Sequence, residues 1–166
     1  MRLHGFPPIA NTRARVLVLG SMPSEASLAA GQYYAHPRNL FWRIAGETCG
    51  FDPAAPYARR KAALTKAGIA LWDVVESCER RGSLDSSIVA ASIRVNDFAA
   101  FLCRHSTIRR ICFNGCKAES AWRRHVLEDL PSERKLEYCL LPSTSPANAG
   151  MSYLRKLKVW RSAIPC

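Results

Sequence analysis

The run Val16-Leu17-Val18-Leu19 empties directly into Gly20-Ser21-Met22-Pro23-Ser24, and that abrupt change from apolar residues to a polar turn limits what the chain can build. Four apolar residues in a row fit a strand buried on both faces, as in a parallel sheet covered by helices. Sheets of that kind place their ligands outside the carboxyl ends of the strands. The first strand is expected over 15–19, and three more over 69–74, 109–113 and 136–141. Between them, helices are expected over 41–49, over 57–67 with a stop at Gly68, over 95–105, and over 117–127. A basic amphipathic helix over 152–162 closes the chain. In the 95–105 helix, Asn96 is the expected N-cap, with Phe98, Phe101 and Leu102 facing the core. Residues 78–87, charged and containing Gly82, read as a surface loop over a cleft. The predicted architecture is a three-layer α/β/α sandwich around a central four-stranded parallel sheet. It forms one domain over 1–166, with every polar strand end on one edge.

Charge says what such a cleft would meet. The 166 residues carry 24 Lys+Arg against 13 Asp+Glu, a formal net charge of +11, so the expected partner is anionic. Nucleic acid is the first candidate and an acidic lipid surface the second. Seven cysteines are scattered, and the close pair Cys112 and Cys116 lacks the matching partners of a zinc site. Free, buried thiols are therefore expected, with no metal. No signal peptide opens the sequence and no apolar run reaches a membrane span, which points to a reducing cytoplasm or the nucleoid. A nucleotide-binding α/β protein is disfavoured, because no Gly-rich phosphate cradle follows the first strand.

Three stretches carry a resemblance: Gly20-Ser21-Met22-Pro23-Ser24; Gln32-Tyr33-Tyr34-Ala35-His36-Pro37-Arg38-Asn39-Leu40-Phe41-Trp42; and Ser143-Thr144-Ser145-Pro146. Together they resemble the uracil-DNA glycosylase superfamily, and within it most nearly the hypoxanthine-DNA (deoxyinosine) glycosylases. The resemblance spans nearly the whole chain. It implies the three-layer fold and excision of a deaminated base from DNA, without metal or cofactor, by a monomer.

The resemblance also implies roles for particular residues. Tyr34 matches the aromatic that stacks on the extruded base, with Tyr33 a weaker candidate for the same pocket; Phe41 and Trp42 fit packing positions. Many relatives carry Asp or Asn where this chain has Met22, and a thioether does not polarise water. The deoxyinosine branch instead has an essential Asn in its HPxN segment, here Asn39, whose amide oxygen can orient a water toward the anomeric carbon. The same oxygen is equally suited to cap the helix that follows. Asp73 falls where the superfamily reads the base, and its carboxylate would accept from N1–H of hypoxanthine and repel N1 of adenine. Asn114, which can donate and accept, is the second base reader. Ser143 stands where several relatives have His, so help to the leaving base is weaker; Ser21 and Met22 complete the base-binding set. His36, Ser24, Ser145 and Asn148 are candidate DNA contacts, Met151 is a candidate wedge into the duplex, and Lys156 and Arg161 of the basic tail are candidate phosphate ligands. The rival reading from another class is a DNA-binding module that has lost catalysis, supported by Met22 and Ser143. A uracil- or mismatch-directed glycosylase is the alternative within the fold.

Overall fold

The computed structural model describes residues 1–131, 134–164 and 166. Strand β1 (Arg2–His4) precedes β2 (Val16–Gly20), after which come helices α1 (Glu25–Ala30), α2 (Phe41–Cys49) and α3 (Tyr57–Lys66). Next are β3 (Ile69–Asp73), β4 (Val75–Glu79), β5 (Arg94–Val95) and α4 (Phe98–Arg104). The chain closes with β6 (Arg110–Asn114), α5 (Cys116–His125), β7 (Glu137–Leu141) and α6 (Tyr153–Ala163).

Strands β3, β2, β6 and β7 pair in that order, all parallel, into the predicted four-stranded sheet. Every residue of β2 and β3 is buried, which is why both read as unbroken apolar runs. The chain steps from β2 outward to β3 and then crosses to β6 on the other side of β2. That reversal opens a crevice at the carboxyl ends of the strands. Side chains alternate between the two faces along each strand. On one face Trp72 packs on Phe98 and Phe101 of α4, and Phe113 on Trp122 of α5. On the other, Val18 and Ile69 lie under Phe41 of α2, Leu64 of α3 and Trp160 of α6. By the same alternation Gly20, Asp73 and Asn114, the last residues of their strands, belong to the α2 and α6 face.

A second sheet went unpredicted. Strands β1, β4 and β5 form a three-stranded antiparallel sheet, so the expected 78–87 loop begins as strand. β5 likewise takes Val95, the first residue of the expected 95–105 helix, and α4 starts only at Phe98. The N-cap of α4 is Asp97, whose side chain accepts from Ala100 N at 3.0 Å, rather than Asn96. Asn96 instead donates its Nδ2 to the Asp73 carbonyl at 2.8 Å, tying the small sheet to the end of β3.

The expectation of free thiols throughout is also corrected. Cys49, at the end of α2, is bonded to Cys166, across a sequence separation of 117 residues. No local spacing signals that pair, because packing of α6 on α2 brings the two ends together. Cys78 and Cys112 are buried and outside the disulfide, and burial, together with the neighbouring Cys139, pushes the Cys112 thiol up to about 12. Thiolates are the reactive form. Alkylation of the native protein at pH 8 is therefore expected to modify the exposed Cys103 and Cys116 and to spare Cys78 and Cys112 until denaturant is added, as read by peptide mass spectrometry. Early labelling of Cys112 would contradict the packing of β6 against β7.

Candidate active site

The polar ends of the four parallel strands meet in one pocket. It is lined by Gly20 to Ser24 after β2, Asp73 at the end of β3, Asn114 at the end of β6 and Ser143 to Ser145 after β7. Tyr33, Tyr34 and Asn39 close it from the segment before α2, and Ser27 and Ser83 complete it. Of the predicted base-pocket residues, Asn39, Tyr34, Asp73, Asn114, Ser143, Met22 and Ser21 are all brought together, as are Ser24 and Ser145. The lining contains one carboxylate, Asp73, and no Lys, Arg or His among the described residues.

Local chemistry shapes each wall. Ser24 caps α1 by accepting from Ser27 N at 3.2 Å, which turns the chain sharply after Pro23. Met22 is buried against Val75 and Cys78, so its thioether forms an apolar wall. Tyr34 is the one described non-glycine residue with positive φ, at 55°, a conformation that costs about 1 kcal/mol or more for a residue with Cβ. Its ring stacks on Phe41 with centroids 4.3 Å apart. A Cβ on Gly20 would meet both Asp73 Oδ1 and the Tyr34 hydroxyl, so glycine there lets carboxylate and phenol converge at the pocket floor. Asp73 is 3 % exposed. Tyr33 keeps its proton: burial, reinforced by the nearby Asp73 carboxylate, raises its phenol well above the usual range. Its hydroxyl donates to the Pro7 carbonyl at 3.1 Å.

Asn39 is not the N-cap of α2, which is Leu40; it stands one residue earlier and its Oδ1 accepts from Phe41 N at 3.0 Å in an Asx turn that leads into the helix. One lone pair of that oxygen and the Nδ2 hydrogens remain for a ligand. Asn114 is more committed than its base-reading role requires. Its Oδ1 accepts from Thr144 N and its Nδ2 donates to Thr144 Oγ1, both at 2.9 Å. A backbone N–H must face the oxygen, so this fixes the amide orientation. Thr144, wholly buried, then accepts from Leu40 N through its carbonyl at 3.0 Å. Sequence reasoning passed over Thr144, which stands between two candidate serines. It also passed over Ser83, whose Oγ accepts from Glu25 N at 3.0 Å and whose charged, Gly-containing segment gave only the signal of a loop over the cleft.

The predicted DNA contacts divide. His36 is half-buried outside the pocket lining, its Nδ1 accepting from Arg38 N at 3.1 Å. Asn148 fastens its own loop, donating from Nδ2 to the Ser143 carbonyl at 3.2 Å. Met151 is half-buried, whereas Leu154, in the first turn of α6, is 75 % exposed and is the larger apolar surface beyond this loop. Lys156 is not on the exposed basic face: it is 2 % exposed, and its Nζ donates to the Asn148 carbonyl at 2.6 Å. Arg161 lies at the opposite end of α6 from the pocket, donating to the Glu47 carbonyl in the last turn of α2 at 3.0 Å. Both departures follow from helix geometry, since residues 156 and 157 face the core while 161 lies about 13 Å down the axis from the loop, at 1.5 Å per residue.

Fold and pocket together define a base-excision architecture, and comparison with known proteins agrees. The family model of the uracil DNA glycosylase superfamily matches residues 7–164, and the chain belongs to that superfamily. A protein named hypoxanthine DNA glycosylase from Methanosarcina acetivorans is 36 % identical over 153 residues, covering 92 % of each chain. One of the same name from Methanosarcina barkeri is 36 % identical over 157 residues, covering 94 % of each. The solution NMR structure of a Methanosarcina acetivorans protein, provisionally described as a uracil DNA glycosylase, superposes with a TM-score of 0.77 at 34 % identity. It covers 98 % of this chain and 99 % of its own.

Asn114→Ala deprives the buried Thr144 N–H of its acceptor, which costs about 1–3 kcal/mol. Urea denaturation is expected to show a loss in that range with an unchanged slope. Full stability in the variant would mean that the clamp does not hold the loop.

Proposed function

We propose that this chain is a monofunctional DNA glycosylase that hydrolyses the N-glycosidic bond of deaminated nucleotides, chiefly deoxyinosine, as the first step of base excision repair. The observation that carries the reading is the pocket itself, where the one carboxylate of the lining, Asp73, shares a cleft with the aromatic face of Tyr34 and the amide of Asn39. The names of the two relatives support hypoxanthine as the base. A recessed pocket at the strand ends suits a base turned out of the duplex rather than one read within it.

In this reading the extruded base lies against Tyr34, with its N1–H on the Asp73 carboxylate. Adenine presents a lone pair at that atom and is repelled; uracil and xanthine present an N–H and are tolerated. Asn39 is held by Phe41 N and orients a water below the anomeric carbon through its remaining polar sites. The C1′–N9 bond breaks with its electron pair going to the base, water oxygen bonds to the oxocarbenium-like C1′, and the proton lost by water balances that gained by the base. An amide is too weak a base to act early, so the sugar cation must be well developed before water adds. Hydroxyl and backbone N–H groups at Ser143 to Ser145 offer hydrogen bonds to the departing base. With no lysine in the described lining, an abasic site without strand cleavage is the expected product. We place this activity on the nucleoid and assign it to the monomer.

The test is single-turnover base release from duplexes that differ only in carrying one deoxyinosine, deoxyuridine, deoxyxanthosine or deoxyadenosine. Release is expected from deoxyinosine and not from deoxyadenosine. Asn39→Ala should lower the rate by about 10²- to 10⁴-fold, whereas Asn39→Asp keeps an acceptor for Phe41 N and separates catalysis from folding. Faster release from deoxyuridine would favour the uracil-directed alternative. Tight DNA binding with no release from any duplex would favour the binding module.

A further inference from the structure

Lys156 is a buried cation that the reaction above does not use. It is 2 % exposed, and the salt bridges among the described residues do not include it. Burial holds its ammonium below the usual lysine range. A charge kept inside without a carboxylate costs stability, and an apolar side chain of similar length commonly does better at such a position.

What the ammonium holds is specific. Lys156 and Trp160 are four residues apart on α6 and so lie on one stripe of the helix. Trp160 Nε1 donates to the Pro142 carbonyl at 3.0 Å and Lys156 Nζ to the Asn148 carbonyl at 2.6 Å. One helix face thus pins the loop at its entry and again six residues later. Between the pins, Asn148 N donates to the Ser145 carbonyl at 3.0 Å, Asn148 Nδ2 to the Ser143 carbonyl at 3.2 Å, and Ser145 N to Ser143 Oγ at 3.2 Å. Ser143, Thr144 and Ser145 are the wall of the pocket.

We propose that Lys156 is a positioning residue for base excision, acting through the Asn148 carbonyl to hold the Ser143–Ser145 wall, and not a phosphate ligand. The inference rests on the pocket being the site of excision. It makes Lys156 a position where stability is given up for geometry, so its removal has a signature that neither a structural nor a phosphate-binding role shares.

Lys156→Met should leave the melting temperature unchanged or raise it, slow single-turnover release from a deoxyinosine duplex by about tenfold or more, and leave the salt dependence of DNA binding as it was. Amide exchange at Asn148 should quicken, a readout that holds even if the intact chain releases no base and the excision reading itself fails. A salt slope reduced by about one phosphate's worth would identify a phosphate contact and overturn the proposal. So would an unchanged rate, or a rate loss accompanied by a lower melting temperature. If the Met variant does not fold, Lys156→Gln, neutral but able to donate, is expected to fold and to keep the salt dependence of DNA binding; a folded Gln variant whose salt slope falls by about one phosphate's worth overturns the proposal equally.

Discussion

The side-chain amide of Asn114 makes two hydrogen bonds to Thr144, and the rest of the pocket depends on them. A parallel sheet delivers four strand ends to one edge, and backbone bonds carry the pairing only a residue or two further, from Val74 N to the Gly20 carbonyl, Val75 N to the Ser21 carbonyl and Gly115 N to the Leu141 carbonyl. Asn114 closes the gap between β6 and the loop after β7, and Thr144 passes the constraint on through its carbonyl to Leu40 N, the residue after Asn39. A buried Thr amide and hydroxyl left without partners would each carry a desolvation cost, so the arrangement holds as a unit. The catalytic candidate therefore sits on a segment fixed from two sides, by its Asx turn onto Phe41 N and by the clamp that reaches it from β6.

The opposite wall is organised by crowding rather than by a clamp. Gly20 is the last residue of β2 and lies in register with Asp73, and its missing side chain is the space in which the Asp73 carboxylate and the Tyr34 hydroxyl meet. Tyr34 reaches that point only with its backbone in the left-handed region, a conformation sustained by the stack on Phe41 and by the bond from Trp42 Nε1 to the neighbouring Tyr33 carbonyl at 2.8 Å. The paired aromatics on either side of the HPxN segment are thus what hold its strained turn in place. In a chain of formal charge +11, the pocket holds, among the described residues, a single carboxylate and neutral donors. In the proposed function, long-range attraction of DNA and local reading of a base fall to different parts of the surface.

The parallel sheet and its helices other than α1 were legible from changes in hydrophobic period, whereas Asn39, Tyr34, Asp73 and Ser143 were singled out by the resemblance and Asn114 by its place at a strand end. What the sequence hid was long-range. The antiparallel β1–β4–β5 sheet is made of strands of two to five residues, with exposed positions that break any alternation, so 78–87 read as loop. The Cys49–Cys166 bond depends on two helix ends meeting across the fold. Lys156 and Arg161 read as one basic face because both are cationic; helical periodicity turns the first inward, and the length of α6 carries the second away from the pocket. Thr144 gave no signal, since a buried threonine between two serines looks like them until its partners are known.

The proposed dependence of Asn39 on the clamp is tested most directly by a double-mutant cycle on single-turnover release from a deoxyinosine duplex, pairing Thr144→Val with Asn39→Ala. Valine keeps the shape of threonine and removes the hydroxyl that Asn114 holds. If the clamp acts by placing Asn39, each single variant is slow and the double variant is no slower than Asn39→Ala alone. Rate losses that simply add on the free-energy scale would contradict the account, showing that the wall and the amide contribute independently.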